Sequence, residues 1–418
     1  VNILVCGASG FIGTAICAAL ARNGHRVVRG VRHATLPDEV EVDFARDVEP
    51  AHWQPLLEGV DVVVNAAGIL LERGAQSFEA IHRRGPIALF DASVAAGVRR
   101  IVQVSALGAD QGSTAYFRSK RAADEHLLAL PIAHHVVRPA LVYGEQGASA
   151  RFFRRLASLP VHFLPGSGEQ RLRPVHVAEL AEVVCRLVEN SAKVPAILDL
   201  VGGTEVSYRD MLGTYRSAMG FAPAWRIAVP AWLIGGAAAL LDRVPRSLLT
   251  RDTWAMLQAG NTADAEPTAR VLGRQPAGIA DFIGPADALR LRAAALAAWR
   301  PGVLRAALAF IWIWTAFCSA VWYPQQDSLA LLAPLGLHGA VALVALYGAS
   351  ALDLLLGVLT LWRPGRRLWA FQLGLVTVYS LIVAIALPAF LWHPFAPLIK
   401  NAAVIALLVT LLSEEVES

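Results

Sequence analysis

The feature that most constrains this chain is the way its first strand hands over to its first helix. Val1 to Gly7 (VNILVCG) is a short apolar, partly β-branched run ending in glycine, the pattern of a buried strand in a parallel sheet. Gly7-Ala-Ser-Gly10-Phe-Ile-Gly13 follows, and TAICAALARNG then repeats apolar residues at helical spacing up to Gly24. Strand, glycine turn and helix predict a first βα unit that holds a dinucleotide. The glycines allow the tight turn, the close approach of backbone to pyrophosphate, and the packing of helix on sheet. The phosphates then rest on unsatisfied N–H groups at the positive helix end.

The pattern continues in order. HRVVRGVR (25–32) predicts the second strand, VEVDFARD (40–47) the third with its turn, DVVVNAAG (61–68) the fourth and RRIVQVSA (99–106) the fifth, with a helix over 76–97. Alternating strands and helices with short turns predict an α/β, Rossmann-type, doubly wound parallel sheet. About twenty residues past the glycines, where an acid would accept bonds from a ribose 2′-hydroxyl, stand Arg29, Arg32 and His33. Arginine pairs with a 2′-phosphate, so NADP(H) is expected over NAD(H); solvated strand-end charges are the alternative. Ala66, Ala67 and Gly68 are small enough to let the sheet edge lie close to the nucleotide.

Tyr116 and Lys120 (YFRSK) lie one turn apart at the start of a predicted helix. A phenol of pKa near 10 exchanges protons poorly at neutral pH, and a cation one turn away is expected to lower it. Lys120 is one of three lysines, with Lys193 and Lys400, in a chain otherwise supplied with arginine.

Together GASGFIG, NAAG (65–68), GVRRIVQVSALG (97–108), YFRSK (116–120), RPALVYG (138–144) and HVAEL (176–180) resemble the short-chain dehydrogenase/reductase superfamily in its extended and atypical branches. The likeness is to members related to the nucleotide-binding accessory subunit of respiratory complex I, and it covers roughly residues 1–285. It implies that Gly7, Ser9, Gly10, Phe11, Ile12 and Gly13 cradle the pyrophosphate. It assigns Arg32 to the 2′-phosphate, Asp43 to adenine, and Ala66, Ala67, Gly68 and Pro139 to the rest of the cofactor wall. Tyr116 would be the acid/base, Lys120 its pKa modifier and ribose ligand, and Ser105 the partner of the substrate oxygen. Three positions depart from the family pattern: Ala106 follows Ser105 where the family's hydroxyl can fall, His82 replaces the usual asparagine, and Glu179 replaces the usual aspartate.

Residues 145–285 are broken by Gly and Pro and are expected to form a small substrate lobe. Within it, IAVPAWLIGGAAALL (227–241) is too short for a span and predicts a buried or interfacial helix. A linker is expected at 286–302. From Val303 the chain changes solvent, which is where a hydrophobic fraction of 56% and a mean hydropathy of +0.49 are concentrated. Four spans are expected, at 303–323, 337–362, 368–387 and 390–412, as an all-α transmembrane four-helix bundle. This 303–418 unit resembles the DoxX-like membrane family, most recognisably at HPFAPLIKNAA (393–403). Arginines in RPGRR, and none in the other two connections, place both termini and the nucleotide-binding domain in the cytoplasm of an inner membrane. Trp322, Tyr323, Trp362, Trp369 and Trp392 are expected as an aromatic belt. Asp353 and Lys400 fall at similar depth, roughly 14 and 18 Å at 1.5 Å per residue, and are expected to pair, either fixing helix register or lining a pocket for a quinone-like or lipid head group; snorkelling of Lys400 toward the periplasmic side is the alternative.

A net charge of +4, scattered over the first part, argues against nucleic acid as partner. The cysteines Cys6, Cys17, Cys185 and Cys318 lack paired spacing, so buried thiols, no metal site and no disulfide are expected. No secretory leader is expected ahead of the first strand. The expected function is NADP(H)-dependent oxidoreduction, or an epimerase-type reaction, of a small hydrophobic or membrane-associated substrate. The alternatives are an NADPH-binding sensor or assembly factor, and a quinone-linked membrane redox module.

Overall fold

The computed structural model describes residues 1–189, 194–244 and 247–414. Lys193 falls outside these described residues. The chain divides into two compact units, Val1–Ala295 and Leu296–Ser418.

The first unit is built on seven parallel strands. Those used below are β1 (Asn2–Cys6), β2 (Arg26–Val31), β3 (Glu39–Glu41), β4 (Val62–Asn65), β5 (Arg100–Val104), β6 (Ala133–Pro139) and β7 (Ile197–Leu200), in the order β7-β6-β5-β4-β1-β2-β3. Side chains alternate across β1, so Ile3 and Val5 face one layer of helices while Leu4 and Cys6 face the other. Helix α1 (Phe11–Arg22) covers the first face, packing Ile16 and Leu20 on it. Helices α2 (Gly85–Ala95) and α3 (Ala115–Ala129) cover the second with Leu89, Phe90, Ala123 and Leu127. Two buried faces explain why the strands are continuous apolar runs rather than alternating ones. The strand order reverses between β1 and β4, which opens a crevice beyond their carboxyl ends. The turn preceding α2, Glu79–Arg84, is a π-helix and not part of a uniform helix over 76–97.

Beyond β6 the smaller lobe has its own core of Tyr143, Leu164, Tyr208, Met211, Tyr215 and Phe282. Its 227–241 stretch is not one helix. Trp225–Val229 is a strand paired in parallel with Val161–Pro165, and Ala231–Leu241 is a helix in which only Ala238 is buried. Residues 286–302 are helical for most of their length, in Pro285–Ala297 and the start of Arg300–Phe317.

Three stretches are long and apolar enough to cross a membrane: Pro285–Trp322, which begins before the second unit, and Gly339–Trp362 and Arg366–Ala386 within it. Leu308, Trp312, Leu356, Trp369, Val376, Leu408 and Leu411 form its core. Phe310, Val344, Leu361, Leu381 and Ile385 point outward. A helix that is apolar on both its inner and outer faces belongs in lipid. Three expectations are corrected here. The fourth span is interrupted, because Pro394 and Pro397 withdraw amide donors, Ala396 has φ 43°, and the helix resumes only as Asn401–Glu414. Trp369 belongs to the core and not to a belt. Asp353 is buried without a bonding partner at Oδ1, whereas Lys400 is exposed in the interruption, and no ion pair joins them among the described residues.

Candidate functional site

The crevice begins at Gly7. Its φ of +76° is a left-handed conformation that glycine takes without strain, and a Cβ there would lie 2.9 Å from the Ala67 Cα. The loops after β1 and β4 therefore touch, backbone against backbone. A Cβ on Gly13 would lie 2.1 Å from the Gly7 carbonyl oxygen, which fixes how closely α1 approaches the turn. Gly10 caps α1 with no side-chain bond, and no acid lies in the first turn. The N–H groups that open α1 are thus left for an anion. This cradle fits a dinucleotide pyrophosphate. Ser9 and Gly10 are exposed and Phe11 and Ile12 half-exposed along its rim.

Arg29 pairs with Glu39 at 3.5 Å, so it is committed within the protein. Arg32, one residue past β2, is exposed and carries no carboxylate partner among the described residues. Asp43 accepts from the Ala45 N–H at 3.0 Å and from Gln76 Nε2 at 3.5 Å. Pro139 ends β6 buried, its carbonyl accepting from the Leu107 N–H at 2.9 Å. Ala66 and Ala67 are half-buried and Gly68 exposed at the crevice wall. Gly68 is backed by Lys120, whose Nζ would lie 3.2 Å from a Cβ there.

Helix α3 starts at Thr114, whose hydroxyl accepts from the Phe117 N–H at 3.3 Å. This cap sets Tyr116 and Lys120 on one face. Lys120 is buried and its Nζ donates to the Val104 carbonyl at 3.1 Å and the Ala67 carbonyl at 3.5 Å, joining the ends of β5 and β4. Burial lowers its pKa to about 8, against the pull of the Asp124 carboxylate. Tyr116 is packed edge-on against Phe78, His82 and Phe117. Its phenol is pushed up to about 12, first by burial and then by Asp124. The expectation that Lys120 lowers this phenol is therefore not met, because burial and Asp124 both raise it. Tyr116 therefore keeps its phenolic proton at neutral pH.

Ser105 Oγ donates to Asp124 Oδ2 at 2.5 Å. Asp124 is fully buried, lies 3.8 Å from Arg138 Nε, and leaves Oδ1 without a partner. Burial raises its pKa to about 6, opposed by Ser105, Lys120 and Arg138. The Ser105 hydroxyl is thus spent on an internal acid, one turn along α3 from Lys120. His82 is buried too, and desolvation and Lys120 together lower its pKa to about 2. Its Nε2 accepts from the Ile69 N–H at 3.0 Å, which leaves Nδ1–H to donate to Ser119 Oγ at 3.0 Å. Ser119 in turn donates to the Tyr116 carbonyl at 2.7 Å. His82 is a neutral brace for the tyrosine turn, set on the π-helix, a distortion frequent at functional sites. Glu179 accepts from Arg274 Nη1 at 2.6 Å and the Ala277 N–H at 2.8 Å, and clamps the chain after the small lobe. Sequence reasoning missed Asp124, Gln103 and Ser119. Asp124 carried a signal, since it stands four residues after Lys120 on the same helical face. Gln103, which accepts from Asn65 Nδ2 at 2.8 Å, carried none.

Comparison with known proteins agrees with this construction. Residues 3–200 match the NAD dependent epimerase/dehydratase family and residues 309–409 the DoxX-like family. The ceramide reductase of Caulobacter vibrioides is 33% identical over 187 residues, 43% of this chain and 58% of that protein. The mitochondrial 40 kDa subunit of NADH-ubiquinone oxidoreductase from Neurospora crassa is 26% identical over 208 residues, 47% of this chain and 55% of the subunit. The chain spans less than two thirds of the length of these two curated relatives. The structure of the NADPH-dependent quinone oxidoreductase QOR2 from Escherichia coli, complexed with NADPH, superposes with a TM-score of 0.54 at 16% identity, covering 67% of this chain and 98% of that one. The first unit therefore carries an NAD(P)-binding domain of the epimerase and short-chain dehydrogenase type, and the second a DoxX-like domain whose helices are long and apolar enough to cross a membrane.

Proposed function

We propose that this protein is a membrane-anchored, NADP(H)-dependent oxidoreductase that reduces a carbonyl on a hydrophobic or membrane-associated substrate. The observation that carries the reading is Lys120. A buried ammonium one turn from Tyr116 bridges the carboxyl ends of β4 and β5, at the lip of the nucleotide crevice. A dinucleotide held by its pyrophosphate in the glycine cradle would supply the hydride from its nicotinamide. Tyr116, kept protonated by burial, donates the phenolic proton to the substrate oxygen as the hydride reaches the adjoining carbon. Lys120 holds positive charge beside the phenolate left on Tyr116 Oη. Arg32, exposed and unpaired while Arg29 is bound to Glu39, supports NADP(H) over NAD(H). The apolar second unit and a relative named as a ceramide reductase support a lipid-like substrate.

In this reading the nucleotide-binding unit lies on the cytoplasmic side of an inner membrane, because Arg363 follows the second apolar helix and Arg366 and Arg367 open the third. Both termini lie on that side if Ala389–Glu414, interruption included, completes a fourth crossing.

A second reading, an NADPH-holding sensor or assembly factor without turnover, is favoured by one observation: the Ser105 hydroxyl is already bound to Asp124. Purified full-length protein in lipid nanodiscs separates the two. Oxidation of NADPH on adding a long-chain ketone, lost in Tyr116→Phe with NADPH binding retained, is the expected result. NADPH binding with no turnover across long-chain ketones, aldehydes and quinones would leave the sensor.

A further inference from the structure

The small lobe carries an apolar surface that neither its own core nor the crevice uses. In the paired strands Val161–Pro165 and Trp225–Val229, Phe163 stands opposite Ile227 and Trp225 opposite Val161. Side chains two apart share a face, so Phe163, Trp225 and Ile227 are presented together, with Trp225 80% exposed. Past Pro230 the chain enters helix Ala231–Leu241. Gly235 and Ala238, three apart, form its inner face, Ala238 being buried and a Cβ on Gly235 falling 3.5 Å from Trp254 Nε1. Trp232, Leu233 and Leu240 lie on its outward side, with Trp232 74% and Leu240 67% exposed. Soluble surfaces scatter single apolar residues; they do not gather two tryptophans, a phenylalanine and a leucine-rich helix in one supersecondary unit.

We propose that this strand-helix unit, Trp225–Val244, is a second membrane contact, lying in the lipid interface while the C-terminal helices cross the bilayer. The proposal rests on the membrane reading of the second unit and extends it to the first. Three observations select lipid as the occupant. The helix has eleven residues, about 16 Å at 1.5 Å per residue, so it lies on a bilayer and does not span it. Arg243, eleven residues past Trp232 and so on the same side of the helix, is exposed and has no carboxylate partner among the described residues. Flanking arginines extend toward anionic head groups while tryptophans occupy the head-group level. Finally, the same chain enters its first apolar helix at Arg300, only two residues after helix Pro285–Ala297 ends, so a bilayer is covalently at hand. An interfacial helix on the substrate lobe would let a lipid-like substrate pass from the bilayer toward the crevice without crossing water.

The test uses the full chain with Cys318→Ser to remove the half-exposed thiol, and one added cysteine at Leu233→Cys, Leu240→Cys or, as control, Leu36→Cys. Each is spin-labelled and placed singly in nanodiscs of phosphatidylcholine with or without phosphatidylglycerol. Labels at 233 and 240 should collide several-fold more with lipid-dissolved oxygen than with a water-soluble nickel chelate, and the control should show the reverse. The depth should increase with phosphatidylglycerol, and Arg243→Gln should remove that increase. Equal nickel access at 233, 240 and 36 overturns the proposal. Shielding that appears only with two copies per disc also overturns it, by assigning the surface to a second copy. Failure of the protein to enter discs at all would instead overturn the membrane reading beneath it. Trp232→Glu with Leu240→Glu should abolish the lipid signal while NADPH still binds, which separates loss of docking from loss of fold.

Discussion

Ser105 Oγ lies 2.5 Å from Asp124 Oδ2, and both residues are sealed from water at the carboxyl end of β5. The second carboxylate oxygen has no partner, so among the described residues the serine is the only hydrogen-bond donor this acid has. Ser105→Ala should therefore act mainly on stability, costing about 1–3 kcal/mol as a buried acceptor loses its donor. Thermal unfolding measures that loss, and turnover of the refolded variant should stay within a few-fold. Unchanged stability with lost turnover would return the hydroxyl to the substrate.

The legible part of this molecule was its periodicity. Residues 1–13 specify the β1–α1 turn because glycine at 7 and 13 is demanded by contacts of 2.9 and 2.1 Å that a Cβ would make. Tyr116 and Lys120 were legible because helical spacing alone sets them on one face. The direction of the Tyr116 shift was not, since it depends on Phe78 and His82, from a segment remote in sequence, closing over the ring beside Phe117. The interruption at His393–Lys400 was hidden by hydropathy, which counts Pro394, Phe395 and Pro397 as tolerable in a span although prolines remove the backbone bonds a span requires.

Cofactor choice should turn on Arg32. Calorimetry on the full-length protein should show NADPH binding more tightly than NADH, and Arg32→Asp should reduce that preference by about ten- to a hundredfold. Arg29→Gln should leave the preference in place, because Arg29 is held by Glu39. Equal affinity of the parent protein for the two cofactors would remove the 2′-phosphate role.

The pH dependence should follow Lys120. Its pKa, lowered to about 8, means that raising pH through 8 discharges the ammonium, while Tyr116 at about 12 and His82 at about 2 do not titrate between pH 6 and 9. The kcat/KM of the reduction should accordingly hold below pH 8 and fall tenfold per unit above it, one proton at a time. Lys120→Met should be slow and nearly flat over the same range. A profile in the parent that rises through pH 8 would mean that the proton leaves from a different group.

In the second unit, two polar pairs should behave in opposite ways. Trp312 Nε1 donates to Gln372 Oε1 at 2.9 Å, and Gln372 Nε2 donates to Thr360 Oγ1 at 2.9 Å, tying three apolar helices together where no water competes. A double-mutant cycle of Trp312→Phe with Gln372→Leu should give a coupling of about 0.6–2 kcal/mol, in the range of interhelical bonds in membranes. The same cycle on Asp353→Asn with Lys400→Gln should give none, because Lys400 is exposed ahead of Asn401–Glu414 and no ion pair joins it to Asp353 among the described residues. Unfolding in mixed micelles, followed for each single and double variant, supplies both cycles. Coupling above about 1 kcal/mol between Asp353 and Lys400 would mean that the last helix inserts deeper than the break at Pro394 and Pro397 allows.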